Sequence, residues 1–422
     1  MKKLNIKNFI LILITCLITF HAQAQFPEFK ILPNDTNRDQ EFGHSVSVSG
    51  DYAAVGTIKD DERGTLAGAV YIFKYSANGW VQTQKLFGND TDGDDGFGHS
   101  VSIDNNRLVV GANIINTGGL SNAGAAYVFE LNEGVWAQVD KLVAVMPVVD
   151  ARFGTAVSLY GDNLAVGSPG VNTDTGAAYV FTYDNITMQW TQGDTLVDDN
   201  SVVDDKFGFS VSVYEDRILV GTDTGPFNNS EGYGTIFENL SNLEQTQLSA
   251  SDFTGANSYG YSVSLYQNRA LIGAFRDRGT NQNRSGSAYL YEFDENASIW
   301  NQIEKFTTTG ANIGGTNNAN FGNAVSLKQD RALVGNFHGR MLNSPFGNPG
   351  LAFVFEYDGS IWTRTLLPQS DPGSSAQYGF SVALSDRWAI VGANFDDNTV
   401  QKPNAGSASL LDVDAMFSDS FE

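Results

Sequence analysis

Four aspartates stand close together in the segment NDTDGDDG, at Asp90, Asp92, Asp94 and Asp95. Alternating carboxylates at this spacing can supply oxygen ligands to Ca²⁺, although such a loop also needs an acidic residue at its twelfth position, where Val101 stands. Asp90, Asp92 and Asp94 are therefore a candidate calcium site, and calcium is the one cofactor that the sequence suggests. A turn-capping role is the alternative, because an aspartate precedes the same repeated aromatic position elsewhere, at Asp39, Asp150 and Asp204.

Two loops carry basic residues on a chain that is otherwise acidic. Arg276 and Arg278 lie in FRDRG, and His338 and Arg340 lie in NFHGRML. Guanidinium groups bind carboxylates and sulfates through paired hydrogen bonds, so these four residues are a candidate ligand site. A solvated polar loop without a ligand is the alternative interpretation.

The sequence contains none of the common motifs of hydrolases and nucleotide-binding enzymes. G-x-S-x-G, H-E-x-x-H and the P-loop pattern do not occur. His44 and His99 occupy a position that holds Phe209, Tyr261 and Phe380 in other copies of a repeat, which favours packing over acid–base catalysis. Carboxylate pairs are too numerous to select one for glycoside hydrolysis.

These candidate residues must be positioned by a unit that the chain repeats seven times. FGHSVSIDNNRLVVGA runs from Phe97 to Ala112. Related copies open at Phe42, Phe97, Phe153, Phe207, Tyr259, Phe321 and Tyr378. A glycine follows each opening aromatic by fourteen residues, at Gly56, Gly111, Gly167, Gly221, Gly273, Gly335 and Gly392. A stretch of constant length indicates a rigid structural unit.

Each copy predicts four short strands. SVSI alternates small polar with apolar residues, RLVVGA is typical of a buried strand, and a polar turn separates them. A third strand follows, as in GAAYVF, and a tryptophan marks the fourth strand in most copies, at Trp80, Trp136, Trp190, Trp300 and Trp362. Seven such units predict an all-β, seven-bladed β-propeller of four-stranded antiparallel blades.

The N-terminal segment predicts how the ring closes. The last copy lacks a fourth strand, whereas FPEFKILPNDTNRDQEFG matches WVQTQKLFGNDTDGDDGFG near the first complete unit. We therefore expect Phe29–Leu32 to complete the seventh blade and cover its edge. Strand alternation then places all long, variable loops on one face and the short turns on the other. Four arginines at one turn position are expected to be solvated: Arg107, Arg217, Arg269 and Arg331.

The Phe-Gly opening and the Gly-Ala of the second strand resemble FG-GAP repeats, the unit of the integrin α-subunit propeller. The chain most resembles the bacterial exported subclass of these repeats, over Phe26 to Val413. The resemblance implies the propeller fold and little about function. Integrin-type repeats often hold Ca²⁺ between their first two strands, but here that connection is a short turn that cannot supply six to eight oxygens. Those calcium sites therefore do not carry over.

Residues 1–24 are typical of a secretory signal peptide. Lys2, Lys3 and Lys7 precede the apolar run FILILITCLITF, and cleavage is expected after Ala24. Its removal leaves 22 basic and 48 acidic residues and no cysteine, because Cys16 is the single cysteine of the chain. So acidic a surface repels nucleic acid and anionic membranes. We predict a protein that is secreted to the extracellular space or cell surface without a membrane span, with its propeller over 25–413 and an acidic tail over 414–422.

Three functions are open on the sequence alone. The first is a non-enzymatic, adhesion-type propeller that recognises a protein or glycan through the long-loop face. The second is a glycan lyase or hydrolase with a site in the central funnel, and the third is a structural component of a cell surface or matrix. Charged groups converging in the funnel would favour an enzyme, whereas a broad loop face favours binding.

Overall fold

The computed structural model describes residues 27–35, 39–224, 232–238, 243–252, 257–278, 284–308, 320–340, 347–371, 373, 375–397 and 403–417. In this part, the chain forms seven four-stranded antiparallel sheets arranged as the blades of a ring. The predicted seven-bladed β-propeller is confirmed. The expected signal peptide lies outside the described residues.

The strands follow the repeat in chain order. β1 (Glu28–Ile31) comes before the first blade. Blade 1 contains β2 (Ser45–Ser49), β3 (Tyr52–Thr57), β4 (Ala69–Ser76) and β5 (Gly79–Leu86); blade 2 contains β6 (Phe97–Asp104), β7 (Arg107–Ala112), β8 (Ala125–Asn132) and β9 (Val135–Leu142). Blade 3 contains β10 (Ala156–Tyr160), β11 (Asn163–Ser168), β12 (Ala177–Asp184) and β13 (Gln189–Leu196); blade 4 contains β14 (Ser210–Tyr214), β15 (Arg217–Gly221), β16 (Gly234–Glu238) and β17 (Glu244–Leu248). Blade 5 contains β18 (Tyr259–Tyr266), β19 (Arg269–Ala274), β20 (Ser287–Asp294) and β21 (Ile299–Phe306); blade 6 contains β22 (Phe321–Lys328), β23 (Arg331–Asn336), β24 (Leu351–Tyr357) and β25 (Trp362–Leu366). Blade 7 contains β26 (Ser381–Leu384), β27 (Trp388–Ala393), β28 (Ser407–Asp412) and, as its fourth strand, β1.

The first strand of each blade lies at the axis, where it contacts the first strands of both neighbouring blades. Serines at alternate positions of this strand bind the next blade. The Ser45 hydroxyl donates to the carbonyl of Gly98 over 2.8 Å, and the Ser47 hydroxyl accepts from the backbone N–H of Ile103 over 3.0 Å. The small polar residues of the SVSI segment are thus the contacts that join neighbouring blades round the axis.

The aromatic residue and glycine that open each repeat lie between neighbouring blades, as Phe97 and Gly98 show. Phe97 is fully buried, and its ring centre lies 5.4 Å from that of Tyr127 in an edge-on contact. Gly98 has a φ of +89°, and an added Cβ would lie 2.6 Å from the carbonyl oxygen of Ala69. Only glycine fits there, because a side chain would meet both an unfavourable φ and the neighbouring backbone.

The turn arginines are not solvated, so that prediction is wrong. The Arg107 side chain is 14% exposed, and its guanidinium lies 2.6 Å from Asp162 of the next blade and 3.8 Å from the ring centre of Tyr183. It also pairs with Glu130 of its own blade. Arg269 and Arg331 likewise form ion pairs within and between blades, whereas Arg217 pairs with Glu238 of its own blade and donates a hydrogen bond to the carbonyl of Gln267 in the next blade. These arginines connect one blade to the next.

The two ends of the propeller meet in blade 7, as predicted. β1 runs antiparallel to β28, with Glu28 opposite Leu411 and Ile31 opposite Ala408. The strand begins at Glu28 and ends at Ile31, so Leu32 lies just beyond it. Because β28 would otherwise present an unpaired edge, this pairing closes the sheet.

The described residues also include two short helical segments outside the sheets. α1 (Val171–Asp174) is a turn in which Asn172, Thr173 and Asp174 all have positive φ, a left-handed conformation. α2 (Val413–Phe417) follows β28, and its Met416 is buried against blade 7. The first residues of the predicted acidic tail therefore pack on the ring, and 418–422 lie outside the described part. Across the described ranges, the structure has no helix of the length and apolar character that a membrane crossing requires.

Candidate functional site

The two faces of the ring differ in their connections. Strand alternation puts the second-to-third and fourth-to-first connections on one face, which we call the loop face. The other two connections lie on the opposite face, which we call the short-turn face, and those within the described ranges are short turns. The predicted basic loops of blades 5 and 6 lie on the loop face. Variable loops on a rigid scaffold are the common location of binding sites.

Seven residues, each two positions after an opening aromatic, form a ring round the axis on the loop face. We call it the axial ring; its members are His44, His99, Thr155, Phe209, Tyr261, Asn323 and Phe380. The imidazole of His44 lies 5.2 Å from that of His99 and 5.3 Å from the ring of Phe380. The packing predicted for the two histidines thus occurs at the axis.

Both axial histidines are neutral at neutral pH. Burial, together with repulsion by His99 and Lys59, lowers the pKa of His44 to about 3. Burial and the nearby charge of Arg152 lower the pKa of His99 to about 4, against a hydrogen bond from its Nδ1–H to the carbonyl of Thr155 over 3.1 Å. Neither ring is therefore a proton donor at physiological pH.

Acid should lower the stability of the folded propeller through these two histidines. They ionise near pH 6.5 when unfolded but only near 3 and 4 when folded, so between these values the unfolded state binds more protons and stability falls as pH falls. The free energy of unfolding of the natural protein should therefore fall further between pH 7 and pH 4 than that of the double variant H44F/H99F. We expect the two losses to differ by about 3 kcal/mol, a figure that allows for the partial exposure of both imidazoles. Urea unfolding at each pH measures this, and parallel pH profiles of the two proteins would refute it.

The structure places the predicted arginines and His338 in neighbouring loops. The backbone N–H of Arg276 donates to the carbonyl of Asn257 over 3.1 Å, and its guanidinium lies 4.8 Å from the ring centre of Phe275. Nδ1 of His338 accepts from the amide of Asn320 over 3.0 Å, and burial lowers the pKa of His338. Arg278 is half-buried and Arg340 is exposed. In the described part of the chain, no hydrogen bond or ion pair joins the two loops' basic side chains directly.

A fourth arginine, which sequence reasoning did not select, belongs to the same region. Arg284 ends the blade 5 loop, and the next residue, Ser285, accepts a hydrogen bond of 3.0 Å from the N–H of Phe321 in blade 6. Phe321 directly follows Asn320, the partner of His338. We define the arginine cluster as Arg276, Arg278, Arg284, His338 and Arg340. Among the described residues, none of these side chains has a carboxylate within ion-pair distance.

The candidate calcium ligands take part in other contacts. Asp90 lies 2.6 Å from the ammonium of Lys141 and accepts a hydrogen bond of 2.8 Å from Tyr127. The Asp92 N–H donates to the carboxylate of Asp95, and burial raises the pKa of Asp95 to about 6. Asp94 has a φ of +62°, as expected for a turn residue. Across the described ranges, no three His, Cys, Asp or Glu side chains are grouped to share a metal ion. A calcium site at these aspartates stays a prediction, and a calcium ion bound to Asp90 would have to displace the ammonium of Lys141.

A groove of about 560 Å³ lies at the outer edges of blades 5 and 6 on the short-turn face. Arg269, Glu292, Tyr357 and Trp362 line it. The guanidinium of Arg269 is already bound to Glu292 over 2.8 Å and to Asp330 over 2.7 Å. The arginine of this groove is therefore already neutralised by carboxylates of the protein itself. The arginine cluster on the loop face is the better candidate for a ligand site.

Comparison with known proteins yields a family and a structural relative. The sequence model of the FG-GAP repeat matches residues 27–73, 80–129, 136–181, 243–291 and 363–411. Each segment begins at the fourth strand of one blade and ends in the third strand of the next. Among solved structures, Sqt1 of Saccharomyces cerevisiae is similar with a TM-score of 0.48 at 8% identity, over 89% of this chain and 97% of that chain.

Proposed function

This chain belongs to the FG-GAP repeat family, and from that premise we propose that it is a non-enzymatic binding protein of the adhesion type. Its loop face recognises a protein or a glycan, and the repeats supply the frame. It acts at the cell surface or in the extracellular space after residues 1–24 are removed.

One observation carries the proposal: the distribution of unpaired basic side chains. The turn arginines of the short-turn face form ion pairs within or between blades, as Arg107 and Arg269 do. The arginine cluster of the loop face has no such partners among the described residues, although acidic residues outnumber basic ones by 48 to 25 in this chain. Unpaired cations on an acidic protein are available to an external ligand.

The chemistry of the axial ring favours a binding protein over a glycan lyase or hydrolase. His44 and His99 are neutral at physiological pH because their pKa values are lowered to about 3 and 4. A general acid works best when its pKa lies near the operating pH. We therefore favour binding over catalysis at the axis.

The proposal is tested by comparing binding through the two faces. Residues 25–422 would be applied to an array of defined glycans and proteins, as the natural protein and as the variants R278A/R340A and K74A/K328A. Each variant removes two cations, the first pair from the loop face and the second from the short-turn face. We expect R278A/R340A to weaken binding at least tenfold and K74A/K328A to leave it unchanged. Equal effects of the two variants, or no bound ligand at all, would contradict the proposal.

A further inference from the structure

We infer that Arg276, a member of the arginine cluster, forms a carboxylate-binding site together with Asn257 and Ser258, and that its ligand is an acidic sugar of the uronic-acid class. The inference rests on the proposed function and names the ligand class that the loop face recognises.

The site contains buried polar atoms without partners. Asn257 is 2% exposed, and its side-chain oxygen accepts from the N–H of Tyr259 over 3.1 Å, which directs its Nδ2 group away from that contact. This Nδ2 group, the hydroxyl of Ser258 and Nη1 of Arg276 are all buried and have no hydrogen-bond partner. The hydrogen bond from the Arg276 N–H to the Asn257 carbonyl holds these groups in one region. Unpaired buried donors are costly, and a carboxylate can accept hydrogen bonds from an amide, a hydroxyl and a guanidinium alike.

The repeat itself shows which group fits beside Arg276. In blade 1 the equivalent cation is Lys59, and it lies 2.6 Å from the carboxylate of Glu41, which is 9% exposed. Glu41 stands directly before its opening aromatic, and Ser258 occupies that position in blade 5. Blade 1 thus supplies its own carboxylate, whereas blade 5 has the cation and only a hydroxyl. A ligand carboxylate would take the place in blade 5 that Glu41 takes in blade 1.

The backbone at the two positions is also equivalent. Glu41 has a φ of +58° and Ser258 a φ of +50°, so both residues hold the same left-handed turn before the first strand. The two positions therefore share a backbone conformation and differ only in their side chains.

The loop-face ends of the next two blades also carry amides with unpaired atoms, which are of the kind that hydroxyl groups satisfy. Asn336 is fully buried, and neither its Nδ2 nor its Oδ1 has a partner. Asn394 is 2% exposed with its Oδ1 unpaired, and Oδ1 of Asn323 is likewise unpaired. These atoms include both a donor and acceptors, and hydroxyl groups satisfy both kinds because they donate and accept. A sugar carries several hydroxyls beside its carboxylate, whereas an aspartate or glutamate side chain carries none.

The test uses small probes, so it does not depend on an identified macromolecular partner. D-Galacturonate, D-galactose and the N-acetyl, N-methylamide derivative of glutamate would each be titrated into residues 25–422, with affinity measured by calorimetry. Galactose has the same ring with a hydroxymethyl group in place of the carboxylate. We expect galacturonate to bind at least tenfold more tightly than either other probe. Equal affinity for galactose would overturn the carboxylate site, and tighter binding of the glutamate derivative would overturn the sugar assignment.

Two variants locate the site, and a third controls for charge. R276Q should reduce galacturonate affinity tenfold or more, yet unfold at the same or a higher temperature without ligand, because it removes a partly buried charge that has no ion-pair partner among the described residues. S258E copies the residue of blade 1 and should also abolish binding while raising the unfolding temperature. R63Q removes a loop-face arginine from blade 1, and we expect unchanged affinity. Galacturonate binding that survives both R276Q and S258E would overturn the inference. A last outcome separates this inference from the proposed function. If none of the three probes binds, while binding to the glycan and protein array still depends on Arg278 and Arg340, the loop-face function stands and only the ligand class is wrong.

Discussion

Replacing Trp388 with alanine is expected to lower the free energy of unfolding by about 3–5 kcal/mol. This side chain is 1% exposed at the junction of blades 7 and 1. Its ring centre lies 4.7 Å from that of Tyr75, 5.2 Å from that of Trp80 and 5.9 Å from that of Phe29. One residue therefore packs against both blades and against β1, and its truncation opens a cavity where the ring closes.

Urea denaturation followed by intrinsic fluorescence and circular dichroism would measure the loss in W388A. Ile361→Ala serves as the control, because that side chain is 60% exposed and its truncation should change stability by less than about 0.5 kcal/mol. A W388A protein within about 1 kcal/mol of the natural one would show that this packing does not hold the ring closed.

A comparison of two glycine substitutions, G154A and G134A, should separate backbone strain from steric conflict. Gly154 and Gly134 have nearly the same φ, +91° and +85°. An added Cβ at Gly154 would lie 2.4 Å from the carbonyl oxygen of Ala125, whereas nothing lies within 4 Å of one at Gly134. Both variants lose about 1 kcal/mol from the unfavourable φ, and G154A should lose at least about 3 kcal/mol in all.

The pair also tests why a glycine follows the opening aromatic residue of each repeat. Thermal and urea unfolding of both variants give the two losses under identical conditions. If G154A and G134A prove equally stable, the second residue of the motif is glycine only for its φ, and the close approach of the neighbouring blade plays no part.

The sequence predicted the frame well because each repeat carries its own strand signals. Period-two alternation in SVSI and the constant fourteen residues to the following glycine were enough to predict the blades, and the match of the N-terminal segment predicted the closure by β1. Contacts between blades were harder to predict. Arg107 looked solvated because its partner Asp162 lies 55 residues away in the next blade.

The candidate site was predicted in part. Arg276 and His338 drew notice as basic residues on long loops, and the structure places both on the loop face. Ser258 and Asn257 gave no signal, because a serine or asparagine before a strand is ordinary turn chemistry. Their relevance emerges only when blade 5 is compared with the Glu41–Lys59 pair of blade 1, which requires the register of both positions within the repeat.

The closure of blade 7 also fixes how the molecule can be attached to anything else. β1 starts, and β28 ends, on the short-turn face, where Asp414 lies 2.8 Å from Arg331. Both ends of the ring therefore leave from the side opposite the loops. A tether joined to either end would hold the ring with its arginine cluster pointing away from the anchoring surface, so that anchorage and the proposed recognition would not compete for the same side of the molecule.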